Sequence, residues 1–245
     1  MSAIRQAPPS FINLRQFAQD SSLGAPIALN EAGGEDAFLS ARRVLEVQPG
    51  AVMIGAIDLN AGSGMVKAQP ADEFIVVCAG ELTVTHKDLK LVLQAGQSAI
   101  VQHGAGFSWS ATQPVTLLFM RYKASTADTC LVVPVSQTPD LQVSNSPSAQ
   151  LLLTPTPVCR AYSDHLSADE VFACGTWDST PYSRSANTIA HYELMHLLKG
   201  SVSFVDETGR SGTFSQGDIF LIEQGAKCSW ESLEHVEKIY AICQA

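Results

Sequence analysis

From Pro26 onward the chain is written in short apolar stretches broken by Gly, Pro and Asp. In the first half the stretches that read as strands are Ala51–Leu59, Phe74–Ala79, Glu81–Thr85, Lys90–Leu93, Ser98–Gln102 and Val115–Tyr122. The second half repeats the rhythm with Glu170–Asp178, Ile189–Leu198, Ser201–Asp206, Ser211–Phe214, Ile219–Glu223 and Val236–Ile242. Many short strands with turn residues between them predict an all-β sandwich or barrel. Only Phe11–Gln19, near the start, reads as a helix. Two stretches, Phe74–Ala79 and Leu194–Leu198, are almost continuously apolar, which predicts strands covered on both faces. One face would line a barrel lumen; the other would meet a second sheet, a sister domain or another subunit.

The two halves are copies of one motif. Glu73 is followed by Gly80, then Gly96 and Trp109; Glu193 is followed by Gly200, then Gly217 and Trp230, at matching spacings. A solenoid repeat runs to about 20–50 residues, so a period this long marks a duplicated domain. The expected division is an N-terminal barrel over residues 1–130 and a linker plus C-terminal barrel over 131–245. The stretch Ser136–Ser148, rich in Pro, Ser, Thr and Asn, reads as the connection. Gly80, Gly96, Gly200 and Gly217 flank strands, where a residue free to take positive φ can turn the chain.

The Glu-x6-Gly block followed by the glycine frames Gly96…Gly104 and Gly217…Gly225 resembles the cupin superfamily. The phrases Phe74–Val84 and Gly217–Ile222 look like its ureidoglycine aminohydrolase-type and ethanolamine-utilisation-type domains. The resemblance implies two tandem cupin barrels, each a double-stranded β-helix or jelly roll. It also implies a metal cage of three His and one Glu, and here the chain departs from the family. In the first copy the His positions fall on Lys67, Gln69 and Phe107; in the second they fall on Asn187, Ile189 and Cys228. Only Glu73 and Glu193 remain. A divalent transition metal needs several imidazole, carboxylate or thiolate ligands converging on one point, so no metal and no other cofactor is expected.

A carboxylate inside an apolar barrel must either stay protonated or find a partner. Lys67 is the expected partner of Glu73, with Arg184, Asn187 or His191 serving Glu193. Phe107 and Trp109 are expected to plug the first barrel. The second holds more polar lumen candidates: Trp177, Arg184, Asn187, His191, Glu193, Cys228, Trp230 and Tyr240. Strand alternation puts His191 and Glu193 on one face and His196 on the other. Catalytic candidates are Glu193 and His191 as acid and base, and Cys228, which with His191 would make a thiolate–imidazole pair.

Composition narrows the function classes. A net charge of −9 with no Lys/Arg cluster argues against nucleic acid or anionic membrane as partners. No apolar run is long enough to span a membrane, and Met1–Ser10 lacks the apolar core of a signal peptide. Six scattered cysteines without a C-x-x-C motif suggest a reducing cytoplasm. With 46% hydrophobic residues, some apolar surface is expected in an interface, most simply a homodimer. The expected function is binding of a small polar metabolite in the second barrel without a metal. The alternatives are a divalent-metal-dependent ureidoglycine aminohydrolase-like enzyme and a structural, oligomerising protein.

Overall fold

The computed structural model describes residues 10–244, apart from the side chain of Leu29. The chain is all-β, folded as two jelly-roll barrels, each built from one seven-stranded and one four-stranded sheet. The N-terminal unit comprises residues 15–135 with 165–172; the C-terminal unit comprises 10–14, 136–164 and 173–244 of the described residues. The break falls at 135/136 and not at 130, because Val132–Val135 pairs with Ser98–Val101 as the outermost strand of the first large sheet. The first nine residues, on which the signal-peptide reading mostly rests, lie outside the described part. Among the described residues no helix is long and apolar enough to cross a membrane.

In the N-terminal unit the large sheet runs in the order Val132–Val135, Ser98–Val101, Asp72–Ala79, Val115–Tyr122, Val52–Leu59, Arg42–Val44 and Ala25–Pro26. The small sheet runs Gly62–Val66, Phe107–Ala111, Glu81–His86 and Leu89–Gln94. The C-terminal unit repeats this order strand for strand. Its large sheet is Ile12–Asn13, Ile219–Ile222, Tyr192–Lys199, Val236–Cys243, Phe172–Ser179, Cys159–Leu166 and Gln142–Ser144. Its small sheet is Tyr182–Thr188, Lys227–Ser232, Ser201–Val205 and Ser211–Ser215. The expected helix Phe11–Gln19 is therefore shorter, Leu14–Gln19. Ile12 and Asn13 pair instead with Leu221 and Phe220, and Phe11 packs its ring on Phe204 and Phe214.

Alternation assigns the two faces of the central strands. Ile75 and Val77 join the first barrel's core with Ile57, Leu117 and Phe119. Phe74, Val76, Leu118 and Met120, on the opposite face, are just as buried. This is why the Phe74–Ala79 stretch shows no polar alternation. The small sheets behave differently. Phe107 and Trp109 face inward while Ser108 and Ser110 are exposed, so their strands carry a period of two with a polar outer face. Gly80 and Gly200 take φ of 82° and 75°. A side chain at either would also run into a backbone carbonyl, Pro114 O at 2.6 Å or His235 O at 2.3 Å.

Candidate functional site

Each barrel places one glutamate at the second residue of its central strand, with its side chain on the inner face. Glu73 pairs in register with Val101 on one side and Arg121 on the other; Glu193 pairs with Ile222 and Ile242. The surroundings of the two carboxylates differ completely.

Glu73 is wholly buried. Arg42 grips it with a two-pronged contact, Nη1 to Oε2 at 2.6 Å and Nη2 to Oε1 at 2.8 Å. Arg121 Nε donates to Oε2 at 2.7 Å. The Arg42 guanidinium lies 4.5 Å from the centre of the Phe119 ring and donates through Nε to Phe38 O at 3.0 Å. Burial would push the Glu73 carboxyl up, but the charges of Arg121 and Arg42 overrule it and hold the group at about 2. The short helix Ala37–Ser40 closes the barrel over this cluster. Asp36 caps it, accepting from Phe38 N at 2.9 Å, and also accepts from Trp109 Nε1 at 2.7 Å. Phe38 meets Phe107 edge-on at 5.0 Å. Phe107 and Trp109 thus fill the first barrel, with Phe38 as a third ring.

Lys67 is exposed and is not the partner of Glu73. The expectation fails because two arginines from other strands already satisfy that carboxylate. Gln69 is buried with neither amide atom paired among the described residues. Its backbone instead ties Ala105 and Gly104.

Glu193 keeps 14% of its side chain exposed and His191 keeps 28%. Lys238 Nζ donates to Glu193 Oε1 at 2.7 Å, and His191 Nε2 lies 3.4 Å from Oε2. The ammonium also sits 4.7 Å from the centre of the Trp177 ring and 5.3 Å from that of Trp230, a cation held between aromatic faces. Trp177 and Trp230 meet edge-on at 6.1 Å, and Tyr182 stacks on Trp230 at 5.6 Å. Burial pushes Glu193 up, but Lys238 first and His191 next reverse this and hold it at about 2.

The remaining candidates scatter. Arg184 donates to Cys228 O at 3.1 Å, not to Glu193. Asn187 is exposed, near the end of a strand with an irregular register. Cys228 is fully buried in an apolar cluster with Phe204 and Trp230, where burial pushes its thiol up and away from the thiolate. Tyr240 stands opposite Met195 in register, and burial raises its phenol to about 12. His196 is buried on the face opposite to Glu193.

Three residues central to the two clusters escaped the sequence reading: Arg42, Arg121 and Lys238. The signal for the last two is a lone cation among apolar or aromatic residues of the same strand parity, Val115, Leu117 and Phe119 for Arg121 and Val236, Tyr240 and Ile242 for Lys238.

Among the described residues no group of three or more His, Cys, Asp or Glu side chains is placed to hold a metal ion. In the second barrel the Lys238 ammonium occupies the space beside Glu193 that a bound cation would need, and like charges exclude each other there. A metal cage of the kind the cupin resemblance implies therefore does not fit these donors.

Residues 166–240 match the family model of the EutQ-like cupin domain. No curated protein matches the sequence. A protein of unknown function from Pseudomonas syringae pv. tomato is 27% identical, with 89% of this chain and 91% of that chain covered and a TM-score of 0.81. A cupin 2 conserved barrel domain protein from Leptotrichia buccalis superposes with a TM-score of 0.62 at 11% identity, covering 99% of this chain and all of that one. Salicylate 1,2-dioxygenase from Pseudaminobacter salicylatoxidans superposes with a TM-score of 0.57 at 12% identity, over 99% of this chain and 86% of that one. At such identities the last two speak for the fold alone. Residues 166–240 are thus similar to the EutQ-like cupin domain, and the chain as a whole shares its fold with the protein from Pseudomonas syringae.

Proposed function

We propose that the chain is a two-barrel cupin protein that binds a small polar metabolite in its C-terminal barrel without a transition metal. The observation that carries this reading is the contrast between the two carboxylates. Glu73 is sealed at 0% exposure between two arginines, whereas Glu193 and its neighbour His191 remain accessible at 14% and 28%. Lys238, Glu193 and His191 offer an ammonium, a carboxylate and an imidazole at one place, with Trp177 as an apolar wall. A mouth of a barrel with a few convergent polar groups on an aromatic lining suits a small ligand. No disulfide joins the six cysteines, all of which lie among the described residues, and this supports residence in a reducing compartment.

The test is a thermal-shift screen of the full chain against small polar metabolites, repeated with Lys238→Met, together with elemental analysis of protein purified without added metal. Ligands that raise the melting temperature of the wild type but not of the variant support the reading. Stoichiometric zinc, manganese, nickel or iron in the purified protein would overturn it.

A further inference from the structure

Residues 10–14 stand far from the second barrel in sequence, yet they belong to the C-terminal unit. Ile12 and Asn13 pair with Leu221 and Phe220 at the edge of its large sheet. In the first barrel Val132–Val135 covers the equivalent edge and pairs with all four residues of Ser98–Val101, whereas here only two of the four residues of Ile219–Ile222 are covered. The backbone hold is short, and side chains complete it. Ser10 Oγ donates to Asp206 Oδ2 at 3.0 Å, and Arg210 Nη2 donates to Phe11 O at 2.9 Å. The Arg210 guanidinium lies 4.4 Å from the centre of the Phe11 ring. That ring takes the space a side chain at Gly212 would need, since a Cβ there would stand 2.6 Å from it.

From Phe11 a row of rings leads to the Glu193 cluster. Phe11 meets Phe204 at 5.9 Å, Phe204 meets Trp230 edge-on at 5.4 Å, and Lys238 Nζ lies 5.3 Å from the centre of the Trp230 ring. Every residue of the row is in the C-terminal unit. Trp230 depends on its neighbouring rings for its position. Its indole N–H reaches Ser232 Oγ only at 3.4 Å, whereas that of Trp109, its counterpart in the first barrel, is pinned by Asp36 at 2.7 Å. So long a hydrogen bond is weak, and the edge-on contact with Phe204 and the stacking with Tyr182 hold the ring instead. A close-packed row of this kind passes a displacement along, because the interior has little free space to absorb it.

We propose that Ser10–Asn13 is a strap that regulates the C-terminal cluster. Docked, Phe11 holds Phe204 against Trp230, and Trp230 holds the Lys238 ammonium on Glu193. Lifted, the row slackens and the ammonium leaves the carboxylate more readily. As control of a binding site the inference rests on the function proposed above. The position of Lys238 is read directly in the experiment below, and the metabolite screen against Lys238→Met tests the binding reading by itself, so the two fail separately.

The experiment compares the full chain with Phe11→Ala, which empties the strap's seat, and Gly212→Ala, which crowds the ring out of it. Neither replaces a residue of the Glu193 cluster, and Gly212→Ala carries the test if Phe11→Ala does not fold. Indole N–H NMR signals report the three tryptophans, and mass spectrometry follows acetylation of Lys238 at pH 8. In both variants the Trp230 and Trp177 signals are expected to move while that of Trp109 stays in place. Lys238, buried and paired in the wild type, should be acetylated about threefold faster or more. The buried thiol of Cys174 should remain unlabelled without denaturant. Unchanged acetylation of Lys238 in the folded variants would overturn the proposal. So would a parallel rise in Cys174 labelling, the mark of a barrel that has merely loosened.

Discussion

Arg121 lies directly opposite Glu73 in the strand register and contacts it at 2.7 Å, whereas the position that answers to Arg121 in the second barrel is Ile242, opposite Glu193. The duplicated glutamates have therefore been neutralised by different solutions. In the first barrel the cations come from Arg42 and Arg121. In the second a single cation, Lys238, reaches Glu193 from the same strand as Ile242, and the strand position equivalent to it in the first barrel is the apolar Leu117. A repeat keeps its backbone frame while the charge-balancing residue moves, because the requirement is for a cation near the carboxylate and not for one at a given place.

Removing one partner from the sealed cluster should be severe. Glu73→Gln leaves Arg42 and Arg121 facing each other without a counter-charge in a dry interior. The expected loss is about 3–5 kcal/mol of folding stability. Replacing all three residues together, with Met at Arg42 and Arg121 and Leu at Glu73, should recover most of it, since a well-packed apolar cluster has no desolvation penalty. Urea denaturation of the single and triple variants measures both. A Glu73→Gln protein as stable as the wild type would show that the cluster contributes nothing.

Acid should reveal the same two carboxylates. Both are held at about 2, below the ordinary value of 4.5. A carboxyl whose folded value is depressed contributes stability that is fully present above its unfolded value and is lost as pH falls toward the folded one. Stability should thus fall between about pH 4.5 and pH 2, with a contribution on the order of 3 kcal/mol from each group. Glu193→Gln isolates one share. It should be less stable than the wild type at pH 7, where Lys238 loses its counter-charge, and the difference should shrink toward zero near pH 2. Chemical denaturation at a series of pH values gives the difference directly; a gap that stays constant with pH would contradict the Lys238–Glu193 pairing.

How much of this could be read from the sequence follows from the range of the interactions. The Glu-x6-Gly blocks and the glycine frames are local, and they located both barrels and both carboxylates. Phe107 stands at a motif position and Trp109 shares its parity, so both are legible as barrel filling although their strand, Phe107–Ala111, is not. The partners of the glutamates were not. Arg42 and Arg121 stand 31 and 48 residues from Glu73, and Lys238 stands 45 from Glu193. Such pairs are set by strand order, which spacing along the chain does not encode. Lys67 was chosen for its place in the family motif, yet it is exposed. The strands Gly62–Val66, Tyr182–Thr188 and Lys227–Ser232 were missed for a related reason. Their outer faces are polar, and Ser-rich stretches resemble loops until the sheet that carries them is known.

The cysteines should separate cleanly by reactivity. Cys159, Cys174, Cys228 and Cys243 are buried, while Cys78 and Cys130 are partly accessible. Burial pushes the Cys78 thiol up to about 11, so little of it is thiolate near neutrality. At pH 8 the folded protein should react with a thiol-specific reagent first at Cys130 and much more slowly at Cys78. The other four should label only after denaturant is added. Mass spectrometry of tryptic peptides over a time course reads the order, and early labelling of Cys228 would contradict its burial among Phe204 and Trp230.

Two strand glycines with no room for a side chain set the last expectation. A Cβ built on Gly55 would stand 2.0 Å from Arg43 O, and one built on Gly175 would stand 2.0 Å from Tyr162 O. The two glycines hold equivalent places in the two barrels, each against the neighbouring outer strand of its large sheet, and neither has a positive φ. Only space is missing at these positions, and the obstructing atom is a carbonyl that cannot rotate aside. Gly55→Ala and Gly175→Ala must therefore push a strand away from its neighbour, at a cost of about 3 kcal/mol or more. Gly217 is the informative contrast. Its φ is 88°, yet nothing lies within 4 Å of a Cβ there, so Gly217→Ala should cost only the backbone term of about 1–2 kcal/mol. Urea denaturation of the three variants should place Gly217→Ala clearly between the wild type and the other two; a reversed order would mean that the strands beside Gly55 and Gly175 yield more easily than a turn does.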